Sequence, residues 1–316
     1  MKIVITGGGG FIGRKLARAL LARPEVSRLV LLDAAFPVPL APEARLETVR
    51  ADLSDERSLA RAIAADTDAL FHLAAVVSGA AEADFDLGMR VNVDGMRAVL
   101  ERLRRCARPP RVVYASSIAA FGGALPDVLD DATVPTPQTS YGTQKVIGEY
   151  LLADYTRKGF LDGRSLRLPT IVVRAGSANA AASGFASAVI REPLAGREYD
   201  CPVGPETAMW LLSSRRCVEA LLHAASLPSA LWGPARVVNL PGICARIGEM
   251  VEALARIAGP DVAARVRYRP DPHIQAIVRT WPARFRTPRA DAMGFRADAD
   301  VDAILRDYIS EEGIRL

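Results

Sequence analysis

The sequence predicts an α/β fold, a doubly wound parallel sheet of Rossmann type with a second, smaller substrate-binding lobe. Three observations predict it. Short apolar strand-like runs alternate with helical patterns through roughly the first 170 residues. A glycine-rich turn follows the first run and opens the first helix. The runs hardly alternate polar with apolar side chains, as strands covered on both faces should not.

In chain order the runs are Lys2–Thr6, Arg28–Leu32, Leu46–Arg50, Ala69–Leu73, Arg111–Ala115 and Ser165–Leu168. Helical patterns fall between them at Gly13–Ala22, Glu56–Ala64, Asp84–Arg105 and Ser140–Lys158. That alternation implies parallel strands joined by helical crossovers. After Pro169 the pattern loosens and Gly, Pro and Ala become frequent. Helices are expected at Ser183–Ala195, Ser214–Ala225, Ile247–Ile257 and Val301–Ile309, and a strand at Arg236–Leu240 that rejoins the sheet. Residues 1–170 with 236–240 are thus assigned to a nucleotide-binding domain, and most of 171–316 to the smaller lobe. The lobe is expected to close over the carboxyl edge of the sheet, where open α/β folds bind ligands.

The 316 residues suffice for a sizeable core, and the 50% hydrophobic, 24% charged composition is that of a globular protein. The net charge is only +4 and the arginines are spread along the chain, so a solvated surface is expected, with no nucleic-acid or membrane partner. Cys106, Cys201, Cys217 and Cys244 stand far apart, and His72, His223 and His273 lack metal-ligand spacing. Neither disulfides nor a metal site are expected. The first residues already read as a strand, which argues against a signal peptide and for a cytoplasmic protein. The most apolar stretch, Ala69–Val77, is too short to span a bilayer.

The turn reads Thr6-Gly7-Gly8-Gly9-Gly10-Phe11-Ile12-Gly13. Gly7 suits a tight turn, Gly10 lets a pyrophosphate approach the backbone, and Gly13 allows close helix–strand packing. The N–H groups of Phe11 and Ile12 at the helix start would face the phosphates. A P-loop is excluded because Arg14-Lys15 stand where the lysine and magnesium-binding hydroxyl belong. Asp33 ends the second run, where a carboxylate accepts from ribose hydroxyls and repels a 2′-phosphate, favouring NAD over NADP. Asp52, after the third run, suits either the adenine or a cap on the next helix.

Tyr141 and Lys145 stand at i and i+4, on one face of a helix that Thr139 and Ser140 can cap. A phenol with a pKa of about 10 is a poor base at neutral pH, and a neighbouring ammonium favours its phenolate. Ser116 and Ser117 end the fifth run at its carboxyl edge, placing a hydroxyl where it can bond the reacting oxygen.

Gly7-x-x-Gly10-x-x-Gly13, His72-Leu73-Ala74-Ala75, Ser116-Ser117-x-x-x-Phe121-Gly122 and Tyr141-x-x-x-Lys145 resemble, in order and spacing, the extended short-chain dehydrogenases/reductases. That family includes nucleotide-sugar epimerases and dehydratases. The resemblance implies Ser117 as the substrate-binding serine, Tyr141 as acid/base and Lys145 as its electrostatic partner. Asn92 is either the residue bracing the site from the fourth helix or a plain buried polar residue. Leu53, Leu73, Ala74, Ala75, Pro169 and Ile171 would line the cofactor. Phe121 stands where the family usually has Tyr.

A narrower resemblance, to sugar-acid dehydrogenases of that family, rests on several segments. They are Leu32-Asp33-Ala34-Ala35-Phe36, Gln138–Lys145, Asn179–Ser187 and Ile190–Gly196. It implies oxidation of the C2 hydroxyl of a small sugar acid, D-erythronate, with NAD as acceptor. A four-carbon acid needs a partner for its carboxylate, and Arg174 is the leading candidate, with Ser78 and Thr170 as pocket residues. A surface ion pair is the other reading of Arg174. Two further functions stay open. A nucleotide-sugar epimerase holding NAD tightly would carry Arg-x-x-Asn-x-Tyr-Gly-Pro, where this chain reads Arg167-Leu168-Pro169-Thr170-Ile171-Val172. A non-catalytic NAD sensor would have a degenerate site. The family's habit also implies a homodimer through the helices at 84–105 and 140–158, although their apolar positions equally suit packing within one chain.

Overall fold

The computed structural model describes residues 1–38, 41–176 and 183–316. Residues 179–182 of the Asn179–Ser187 segment therefore lie outside the described residues. The strands in chain order are β1 (Lys2–Thr6), β2 (Arg28–Asp33), β3 (Leu46–Arg50), β4 (Ala69–His72), β5 (Arg111–Ser117), β6 (Asp162–Leu168), β7 (Thr170–Val172), β8 (Tyr199–Cys201), β9 (Ala208–Ser213), β10 (Val237–Asn239), β11 (Ile243–Arg246) and β12 (Val266–Tyr268).

Two compact units divide the chain. The first takes residues 1–117, 139–167 and 218–238, and the second takes 118–138, 168–217 and 239–316. Each unit is assembled from three segments of the chain. The segment after Ser117 groups with the second unit because it packs there. Leu129 pairs with Phe285, and the Phe121 ring lies 5.8 Å from that of Phe285.

The first unit holds a seven-stranded sheet in the order β10-β6-β5-β4-β1-β2-β3. The registers from β1 to β2, β2 to β3, β1 to β4 and β4 to β5 are all parallel. The order is that of a doubly wound dinucleotide-binding sheet with one strand added. Val4, Val30, Leu70 and Val112 from its strands pack with Leu59, Val99, Leu103 and Leu152 from covering helices.

The helices α1 (Phe11–Leu21), α2 (Glu56–Ala62), α3 (Ser78–Ala83), α4 (Phe85–Gly88), α5 (Gly95–Leu103) and α6 (Ser140–Arg157) belong to this unit, as does most of the helix Ser214–Ser226. The single helix expected over Asp84–Arg105 is broken instead. Between α4 and α5 the backbone widens into a π-helical segment, Met89–Asp94. Its centre is Asn92, whose side chain bonds the main chain of Val76, an anchor that a regular helix pattern does not reveal.

The second unit contains a three-stranded sheet, β11-β9-β7, and a two-stranded pair, β12 with β8. Its core gathers Val172, Phe185, Val189, Leu211, Met250, Leu254 and Leu305. Among the described residues no helix is long and apolar enough to cross a membrane, and no group of metal-ligating side chains is present.

Candidate active site

The first unit builds the glycine turn as the residue types demand. Gly7 has φ +75, a left-handed conformation that side chains resist, and an added Cβ would lie 2.6 Å from the Ala74 nitrogen. The segment after β4, with Leu73 and Ala74, thus crosses directly over the turn. At Gly13 a Cβ would meet the Gly7 carbonyl oxygen at 2.2 Å, so α1 can start against the turn only without one. Gly10 differs. Its Cβ would meet only the Gly7 oxygen, at 3.2 Å, and otherwise faces open space.

The first helical hydrogen bond runs from the Arg14 N–H to the Gly10 carbonyl. The N–H groups of Phe11, Ile12 and Gly13 precede it and have no helical acceptor. The Asp33 carboxylate reaches the same turn, accepting from the Gly9 N–H at 2.9 Å and the Ala35 N–H at 3.2 Å. An open backbone cradle, oriented N–H groups and a carboxylate beside them fit the pyrophosphate and ribose of a dinucleotide.

On β5 and α6 the structure brings Ser117, Tyr141 and Lys145 into one unit. Thr139 caps α6, its hydroxyl accepting from the Gly142 N–H at 3.1 Å, so Tyr141 lies in the first turn. Lys145 is buried, and its ammonium donates to the Ala115 carbonyl at 2.8 Å. The same nitrogen lies 5.4 Å from the centre of the Tyr141 ring and 4.9 Å from that of Tyr114. Burial pulls Lys145 down to about 7, and the negative charge of Glu149 opposes that pull. His72 is fully buried against the Tyr114 ring, with its Nδ1 and the Thr6 hydroxyl 2.7 Å apart. Burial first, and Lys145 second, hold it down to about 3, so it is neutral.

Asn92 is 3% exposed and braces this site. Its oxygen accepts from the Val76 N–H at 2.8 Å, and its amide donates to the Val76 carbonyl at 3.1 Å and to the Gln144 oxygen at 2.7 Å. Gln144, Glu149 and Arg167 are site residues that the motifs do not name. Gln144 and Glu149 share the buried side of α6 with Lys145. A helix face lined by an amide, an ammonium and a carboxylate was the available signal, since such groups are buried only when paired.

Other expected residues sit elsewhere. Asp52 does not cap α2. It accepts from the Ser54 N–H at 2.8 Å, which holds its carboxyl low, and Asp55 is the cap. Leu53 is buried against Gly95. Ser78 opens the short helix α3. In the second unit Thr170 and Ile171 form β7, just after Pro169. Arg174 there donates from Nε to the Ile171 carbonyl at 3.1 Å and from a terminal nitrogen to the Ser183 hydroxyl at 2.9 Å. Phe121 is 3% exposed and packs on Phe285, which also contacts Trp210. The aromatic ring after the serine motif is thus part of the core of its unit.

The chain is similar to known proteins along nearly its whole length. The NAD dependent epimerase/dehydratase family matches residues 3–234. D-erythronate dehydrogenase of Cupriavidus necator is 52% identical over 99% of this chain and 99% of its own length. D-erythronate dehydrogenase of Haemophilus influenzae is 40% identical over 98% of this chain and 99% of its own. A crystal structure described as a nucleoside-diphosphate-sugar epimerase from Agrobacterium tumefaciens superposes with a TM-score of 0.93 at 40% identity, over 100% of this chain and 95% of that one.

Proposed function

This chain belongs to the NAD dependent epimerase/dehydratase family, and from that premise we propose that it oxidises the C2 hydroxyl of D-erythronate to give 2-dehydro-D-erythronate. It is an NAD-dependent oxidoreductase acting on a CH–OH group. The observation that carries the finer reading is the buried Lys145 ammonium, held against the Tyr141 ring by the Ala115 carbonyl.

Bound NAD supplies the acceptor for the hydride that leaves C2. The protein's own groups handle the proton and the orientation. Tyr141, as the phenolate, takes the proton of the C2 hydroxyl. Lys145 stabilises that phenolate by charge at short range. Ser117, at the end of β5, donates to the oxygen that becomes the ketone. One C–H bond and one O–H bond break, and the carbon–oxygen double bond forms. The Asn92 bridge supports this reading because it fixes α6 at Gln144, the residue before Lys145.

The name of the Agrobacterium tumefaciens structure favours a second reading, an epimerase that returns its hydride to the substrate. The two readings part in one experiment. Purified protein is mixed with NAD and D-erythronate, and NADH is followed by absorbance. Stoichiometric NADH, lost in Tyr141→Phe, is the expected result. No NADH, with NAD retained through purification, would replace the dehydrogenase by the epimerase.

A further inference from the structure

Glu149 is 5% exposed and lies one helical turn beyond Lys145 on α6. Its carboxylate accepts from the Ser116 hydroxyl and, at 2.9 and 2.7 Å, from two nitrogens of the Arg167 guanidinium on β6. Lys145 grips the Ala115 carbonyl. Successive turns of α6 therefore clasp successive residues of β5, immediately before Ser117. Neither the motif nor the proposed proton transfer uses Glu149 or Arg167.

Four elements present titratable or charged groups around Lys145. Tyr141 and Glu149 stand on α6, Tyr114 on β5, His72 on β4, and Arg167 on β6 behind Glu149. His72 and Tyr114 are held neutral by burial. Glu149, ion-paired with Arg167, also shares the buried side of α6 with Lys145 one turn away, and its negative charge strengthens the hold of Lys145 on its proton. Burial alone favours the neutral amine of Lys145, and a neutral amine cannot stabilise a phenolate.

We propose that Glu149 is a positioning residue for the proton transfer, holding the Lys145 cation beside Tyr141 while its pairing with Arg167 and Ser116 fixes α6 on β5. The inference rests on the reading that Tyr141 and Lys145 carry the proton. It requires opposite effects from the two halves of one ion pair. Loss of Glu149 removes a negative charge and weakens the hold of Lys145 on its proton. Loss of Arg167 leaves Glu149 unopposed and strengthens that hold.

The chain has four lysines, Lys2, Lys15, Lys145 and Lys158. Carbon-13 NMR of the full-length protein labelled at the lysine ε carbon therefore resolves Lys145, assigned through Lys145→Met. Glu149→Gln should move its titration midpoint to lower pH by about one unit, and Arg167→Gln should move it to higher pH by a similar amount. Glu149→Asp, which keeps the charge, should leave the midpoint nearly in place. The alkaline limb of NADH formation from D-erythronate should follow, with about tenfold lower activity of Glu149→Gln one unit above the wild-type midpoint. Structural damage lowers activity in both variants and does not produce opposite shifts. Midpoints that stay fixed, or that move together, would overturn the inference. If Glu149→Gln does not fold, the upward shift in Arg167→Gln decides alone. NADH formation by Tyr141→Phe would sink the underlying reading. An inactive Tyr141→Phe with an unmoved Lys145 midpoint would sink only this one.

Discussion

The Asn92 amide donates to the Gln144 side-chain oxygen at 2.7 Å, and both residues are buried. Asn92 spends its remaining capacity on the Val76 N–H and carbonyl, so one side chain ties the loop after β4 to α6. Gln144→Leu removes the acceptor and strands a buried donor, a cost of about 1–3 kcal/mol. The melting temperature should fall by a few degrees and kcat by about tenfold, with the KM for NAD nearly unchanged. Thermal melts and steady-state kinetics on the same preparation test this. A fall in kcat with no change in melting temperature would separate Gln144 from the brace.

The glycines of the turn should divide into two classes. Gly13→Ala puts a Cβ 2.2 Å from the Gly7 oxygen, so the strand–helix junction must move and stability should drop with NAD binding. Gly10→Ala meets only the Gly7 oxygen at 3.2 Å and should fold with a melting temperature close to wild type. Its methyl group stands on the open side of the cradle, so the Kd for NAD should rise at least about tenfold. Calorimetric titration with NAD checks both. Tight binding by Gly10→Ala would move the pyrophosphate away from that face.

How far the sequence discloses this molecule depends on whether a residue's partners are near it in the chain. The first lobe is legible because apolar runs and helical patterns alternate at short range, and β1 and β3 have the expected bounds. Tyr141 and Lys145 are legible because their spacing is that of one helical turn. The Glu149–Arg167 pair joins α6 to β6, and no local pattern announces a partner 18 positions away. The anchor at Asn92 is hidden for the same reason, since its partner is the main chain of Val76, 16 positions away. Asp52 is ambiguous in the sequence because two aspartates precede α2, and only geometry shows Asp55 reaching the Arg57 and Ser58 N–H groups.

Asp33 should set the choice of cofactor. It ends β2 in register with Arg50, whose Nε donates to the Ala34 carbonyl at 3.2 Å. A guanidinium is therefore already tied to the residue that follows Asp33. Asp33→Ser removes the repelling carboxylate and leaves that cation. The ratio of kcat/KM for NADP over NAD should rise by about tenfold or more, equivalent to about 1.4 kcal/mol. Kinetics with both cofactors measure it. A ratio unchanged in Asp33→Ser would show that the carboxylate does not face the ribose.

His72 should make the fold sensitive to acid. Its ring is buried on Tyr114 and bonded to Thr6, and it stays neutral down to about pH 3 in the folded chain. In the unfolded chain it takes a proton near pH 6.5. Between those values the unfolded state binds more protons, so stability falls as the pH is lowered, by up to about 1.4 kcal/mol per pH unit. Lys145 acts in a different window. Its folded value near 7 lies below the unfolded value of about 10.4, so its effect is to raise stability as the pH climbs between them. The two contributions can therefore be separated. Denaturant unfolding of the wild type between pH 7 and 4 should show a steeper loss than His72→Asn, while the slopes from pH 7 to 9 should agree. Equal slopes on the acid side would mean that the ring takes up its proton while folded.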